Sequence, residues 1–95
     1  MTSNEYMTDL RDIHALVTGA GSGIGEQIAR ALSSAGARVS LMGRTHTTLV
    51  SVAQSLDHKS QIAVADVTDR PGVAEAVERI VDQPGPIKVL INNAG

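Results

Sequence analysis

The chain has 95 residues, 42% hydrophobic and 19% charged, with a formal net charge of -2. That is enough for one small domain or part of a larger one, without the basic field that nucleic acid or an anionic membrane surface would call for. It has no cysteine, which excludes disulfides and thiolate-held metals, and no apolar run approaching the ~18 residues of a membrane helix.

The opening MTSNEYMTDLRD is polar and lacks the apolar stretch of a secretion signal, so a cytoplasmic protein is expected. Residues 1–12 are read as a polar lead and 13–95 as one folding unit. Tyr6 is the single aromatic residue. The core must therefore be built of Val, Ile, Leu, Ala and Met, which is thin for a free-standing domain.

IHALVTG (13–19) reads as a first strand. A glycine turn follows, and then a helix over 24–37, with Ile24, Ile28, Ala31, Leu32 and Ala35 at helical spacing and Gly36 as its terminating glycine. A second strand is predicted over 38–43, and a second helix over 47–58 with Leu49, Val52, Ala53 and Leu56 on one face. A third strand, QIAVAD (61–66), leads to a third helix over 67–83. That helix is capped by Thr68 or Asp69, has Pro71 in its first turn, and turns Val73, Val77, Ile80 and Val81 inward. IKVLI (87–91) is the fourth strand and NNAG closes the chain.

Strands alternating with helices predict right-handed crossovers and a parallel sheet, an α/β doubly wound Rossmann-type arrangement in the order 3-2-1-4. The first two helices then cover one face of the sheet and the third lies alone on the other. The fourth strand is left as an exposed apolar edge.

The stretch LVTGAGSGIG, 16–25, crowds its glycines between the first strand and the first helix. A helix start offers unpaired backbone N–H groups and the positive end of its dipole. An anion reaches those groups only where no β-carbon intervenes. Gly19 would permit the turn out of the strand, Gly21 and Gly23 the approach of a pyrophosphate, and Gly25 close packing of helix on sheet.

With this loop, ADVTD after the third strand and NNAG after the fourth, the chain resembles the short-chain dehydrogenase/reductase family from Ile13 to Gly95. The resemblance implies NAD(P)-dependent interconversion of an alcohol and a ketone or aldehyde. In its terms the Gly19–Gly25 loop, with Ser22 and Ile24, holds the cofactor pyrophosphate. Asp66 meets the adenine edge, Val67 packs on the ring, and Asn93, Ala94 and Gly95 line the nicotinamide-side ribose, Asn92 being structural.

Where an NAD enzyme carries an acid at the end of the second strand, this chain has Gly43 followed by Arg44. That favours the 2′-phosphate of NADP. NAD stays as the alternative, because Ser22 stands where NADP-preferring members often have a second basic residue.

The family's catalytic Tyr-x-x-x-Lys pair and Ser follow NNAG and do not occur in these residues; Tyr6 is followed four places on by Leu10. No catalytic residue is assigned, and no metal spacing is formed by His14, His46 and His58. The expectation is the cofactor-binding, N-terminal half of a Rossmann domain, unstable alone. The parent would act on a small-molecule alcohol or carbonyl as a homodimer or homotetramer, with neither nucleic acid nor membrane as partner. A non-catalytic dinucleotide-binding module and an inert truncated chain are the alternatives.

Overall fold

The structure, a computed structural model, describes residues 10–21, 23–57, 60–82 and 85–93. Strand β1 (His14–Thr18) leads to helix α1 (Gly23–Ser34), β2 (Arg38–Gly43), α2 (His46–Gln54), β3 (Gln61–Val64), α3 (Arg70–Asp82) and β4 (Val89–Asn92). The four strands form one parallel sheet in the order β3-β2-β1-β4. Leu16 of β1 lies between Ser40 and Leu90 in register.

Alternate residues of β1 feed two cores, as strand geometry requires. Val17, Val39 and Leu41 meet Ala29 of α1 and Leu49 and Val52 of α2. Leu16, Met42 and Ala63 meet Ala76 and Ile80 of α3. Two helices therefore cover one face and one helix the other. β4 is an edge strand, and its Leu90 is 60% exposed.

Helix α2 packs its predicted face, Leu49 and Val52 with Ala53 and Leu56, on the core, whereas α1 and α3 depart from theirs. On α1 the buried line is Gly25, Ala29 and Ser33, with Ile28 and Leu32 flanking it. Ile24 is 69% exposed, and Ala31 is exposed too. The helix lies so close to the sheet that only small side chains fit beneath its centre. On α3 Ala76 and Ile80 are central, Val73 and Val77 pack beside them as predicted, and Val81 faces out.

The helix ends also differ from the predicted limits. Helix α1 stops at Ser34 in a Schellman turn, with Gly36 at φ +102°, its N–H on the Ser33 carbonyl at 2.9 Å and the Ala37 N–H on the Leu32 carbonyl at 3.0 Å. Helix α3 starts at Arg70 rather than 67, because Asp66–Asp69 close a turn of their own, the Asp69 N–H meeting the Asp66 carbonyl at 2.8 Å. Asp69 is the cap, its Oδ1 accepting the Gly72 N–H at 3.3 Å.

The polar lead joins the fold at its end. Leu10 packs on the first core and its N–H donates to the Ala35 carbonyl at 2.9 Å. His14 is a packed histidine. Its Nδ1 lies 2.7 Å from the Gly85 carbonyl and its Nε2 lies 2.6 Å from the Ser40 hydroxyl. A carbonyl only accepts, so Nδ1 carries the hydrogen.

Candidate functional site

All four strands run the same way, so their carboxyl ends share one edge of the sheet. The chain leaves β1 toward one face and reaches β4 from the other, and the loops part above that switch point. There the structure opens a cleft of about 620 Å³. Each strand end contributes: Gly19 and Gly21 after β1, Gly43 and Arg44 at β2, Ala65–Thr68 after β3 and Asn93 after β4. Thr45 and Thr48, at the head of α2, complete the wall.

The glycine loop is shaped by two different demands. Gly19 holds φ +62° and Gly23 φ +53°, conformations costly for a side chain. Gly25 is held by contact instead. A Cβ there would collide with the Gly19 carbonyl oxygen and come within 2.8 Å of Asn93 Nδ2. The first turn of α1 is thereby pressed onto the end of β1.

A polar knot fixes β4 to the same point. The Asn93 N–H donates to Thr18 Oγ1 at 3.1 Å, and Asn93 Nδ2 donates to the Gly19 carbonyl at 3.3 Å. Thr18 Oγ1 has Asn92 Oδ1 at 3.2 Å and the Ile91 carbonyl at 3.3 Å as acceptors for its hydrogen. Asn92 thus serves structure, while Asn93 both braces the loop and faces the cleft.

Two charges line the cleft among its described residues, Arg44 and Asp66. Asp66 Oδ1 accepts the Thr68 hydroxyl at 2.7 Å and the Thr68 N–H at 2.9 Å. These bonds hold its carboxyl below the usual carboxylate range, the hydroxyl contributing most, with a smaller push from the Arg44 charge. Asp66 is therefore a fixed anion facing a cation across the opening. Beside it Val67 is 43% exposed, an apolar side chain at a cleft wall. At the head of α2, Thr45 is the cap residue but makes no side-chain cap bond. That leaves N–H groups of the first turn for another acceptor.

The structure therefore brings Gly19, Gly21, Arg44, Asp66, Val67 and Asn93 to one cleft. Gly23, Ile24 and Gly25 open α1 and do not line it. Ser22, Ala94 and Gly95 lie outside the described residues, as does Tyr6. Sequence reasoning missed Thr45, Thr48, Ala65 and Thr68. The Thr68 signal was present in Asp66-x-Thr68, an Asx-turn spacing. Thr48 had none, because its contact to Gly21 is tertiary. Among the described residues no His/Asp/Glu cluster could hold a metal, and no helix is long and apolar enough to cross a membrane.

The residues present suit a dinucleotide: a bare loop at a helix start, a fixed anion beside an exposed apolar side chain, and a guanidinium at the next strand end. Comparison with known proteins finds relatives over nearly the whole chain. The chain is 42% identical over 96 residues to gluconate 5-dehydrogenase of Gluconobacter oxydans, covering 98% of this chain and 38% of that one. It superposes on a short-chain type dehydrogenase/reductase from Mycobacterium marinum with a TM-score of 0.90 at 32% identity, covering 99% of this chain and 39% of that one. On L-sorbose reductase from Gluconobacter frateurii, solved with NADPH and L-sorbose, the TM-score is 0.86 at 30% identity, covering 93% and 35%. The chain spans about two fifths of the length of the curated relatives it matches. Residues 13–95 match the short chain dehydrogenase family, and the chain belongs to it.

Proposed function

We propose that this chain is the cofactor-binding half of an NADP-preferring oxidoreductase that interconverts an alcohol and a ketone or aldehyde. The observation that carries the reading is the end of β2, where Gly43 leaves the ribose position without an acid and Arg44 follows at the cleft wall. A planar guanidinium pairs with a phosphate through two parallel hydrogen bonds. An acid at residue 43 would repel that phosphate.

The remaining assignments follow from the match of this chain's motifs to those of the family. Gly19, Gly21, Ser22, Gly23 and Ile24 bind the pyrophosphate, with Gly25 holding α1 close behind them. The Asp66 carboxylate accepts from the adenine amino group, and Val67 covers the ring. Asn93, Ala94 and Gly95 line the ribose on the nicotinamide side. When bound, the nicotinamide would give the hydride to a carbonyl in reduction and take it from an alcohol in oxidation. The residues of this chain bind and orient it and exclude water from one side. The proton donor and the substrate pocket belong to the part of the relatives that lies beyond this span. The working form is cytoplasmic and a homodimer or homotetramer.

The test is Arg44→Ala in the full-length protein. NADP affinity falls about 10- to 100-fold, as expected for a charge-assisted pair. NAD affinity stays level. Equal losses for both cofactors, or none for NADP, would remove the basis for the preference.

A further inference from the structure

We infer that Thr48 is a positioning residue for the dinucleotide site: its side chain takes the space that a Cβ on Gly21 would need, and so holds the glycine loop in register with the head of α2. The inference rests on the cleft being a dinucleotide site. It concerns a different question, which is what makes Gly21 bare.

A Cβ built on Gly21 lies 2.6 Å from Thr48 Oγ1 and 3.3 Å from Thr48 Cβ. The hydroxyl donates to the Thr45 carbonyl at 2.9 Å, a bond that swinging away from Gly21 would disturb, and a β-branched Thr in a helix is restricted at χ1, dividing mainly between two rotamers. Beneath it Leu49 is fully buried. The Leu49 Cδ2 lies 3.8 Å from the Cβ position of Gly21 and 3.2 Å from that of Gly43. The first turn of α2 therefore rests on two bare positions at once, one in the loop and one at the end of β2.

Gly23 is the contrast. A Cβ there meets nothing within 4 Å, and its glycine is required by φ +53°. Gly21 has no positive φ. Its bareness answers to a neighbour, and that neighbour is Thr48. Arg44 lies just before this turn, so the contact links the loop assigned to the pyrophosphate with the group assigned to the 2′-phosphate.

The rival account is that Gly21 is bare for the ligand. It predicts that Gly21→Ala is equally harmful whatever stands at residue 48. The experiment uses the full-length protein in five forms: wild type, Gly21→Ala, Thr48→Ala, Gly21→Ala with Thr48→Ala, and Gly21→Ala with Thr48→Ser. NADPH dissociation constants are measured by fluorescence titration, and denaturation midpoints without ligand.

Gly21→Ala is expected to weaken NADPH binding about tenfold or more, as overpacking does. Adding Thr48→Ala restores binding to within about threefold of wild type, since it removes the colliding oxygen. Adding Thr48→Ser restores less than Thr48→Ala, because the oxygen stays and can still donate to the Thr45 carbonyl. Equal losses from Gly21→Ala in the Thr48 and Thr48→Ala backgrounds overturn the inference. If Gly21→Ala fails to fold, a folded double variant supports the inference and an unfolded one overturns it. If wild type binds no NADPH, the cofactor reading fails by itself. The midpoints then decide the contact, with rescue by Thr48→Ala supporting it and additive losses overturning it.

Discussion

The two ends of β1 are built on opposite plans. At the amino end a polar side chain is buried to close the sheet: His14 spans from Ser40 on β2 to the Gly85 carbonyl ahead of β4. At the carboxyl end side chains are withheld. Gly19, Gly21 and Gly25 keep the backbone bare, and Thr18 and Asn93 tie the strands from below. Both ends satisfy their buried polar groups, and among the described residues no buried side-chain N or O lacks a partner. The difference lies in what remains over. At the closed end both ring nitrogens of His14 are spent on partners within the fold. The open end leaves helix-start N–H groups, a fixed carboxylate and a guanidinium around one cleft. Stability and binding should therefore separate along a single strand.

The sharpest break is at Gly25. Gly25→Val drives a side chain into the Gly19 carbonyl, which is backbone and cannot step aside. A loss above about 4 kcal/mol is expected in chemical denaturation, with binding lost as α1 lifts from the loop. Next is His14→Leu. It strands the buried Ser40 hydroxyl and takes a partner from the half-buried Gly85 carbonyl, for a loss of about 1–3 kcal/mol. At temperatures where the variant is folded, its NADPH dissociation constant should stay within about twofold of wild type, because the two ends are ~13 Å apart along the strand. A large affinity change in His14→Leu would end the claim that the two ends act separately.

How much of this was legible beforehand divides along the same line. The alternation of strands and helices, the order 3-2-1-4 and the covering of the two faces follow from periodicity and handedness alone. Gly19 and Gly36 could be read as turn glycines because positive φ has a residue preference. The face of α2 was read as it is, but those of α1 and α3 could not be read so well. Ile24 looks like a core residue by spacing, yet the close approach at Gly25 turns it outward. The start of α3 was misread because Asp66 and Thr68 bond to each other before the helix begins. Within the site, Arg44, Asp66 and Asn93 were visible from their strand-end positions. Thr48 was not, since nothing in a linear pattern says which side chain fills the space above a glycine.

Smaller effects refine the open end. Gly43→Asp places an acid at the ribose position. Its Cβ falls 3.2 Å from Leu49 Cδ2, so the core must give slightly. Affinity should shift from NADP toward NAD by about tenfold, with a stability loss below about 1 kcal/mol. The smallest effect is at Asp66. Its carboxyl is held low by Thr68, so the stability that this turn adds is fully present above the ordinary carboxylate range. It is lost as pH falls through the lowered folded value. The stability difference between wild type and Asp66→Asn should therefore shrink on acidification, and a difference that grows instead would contradict the assignment.

The central claim is that the cleft at the carboxyl ends of the strands takes a dinucleotide bearing a 2′-phosphate. Its most direct test is a pair of equilibrium titrations of the full-length wild-type protein, with NADPH and with NADH, at one salt concentration. The account predicts that NADPH binds more tightly by about tenfold or more, the worth of one charge-assisted pair. Equal affinity for the two, tighter binding of NADH, or binding of neither contradicts it.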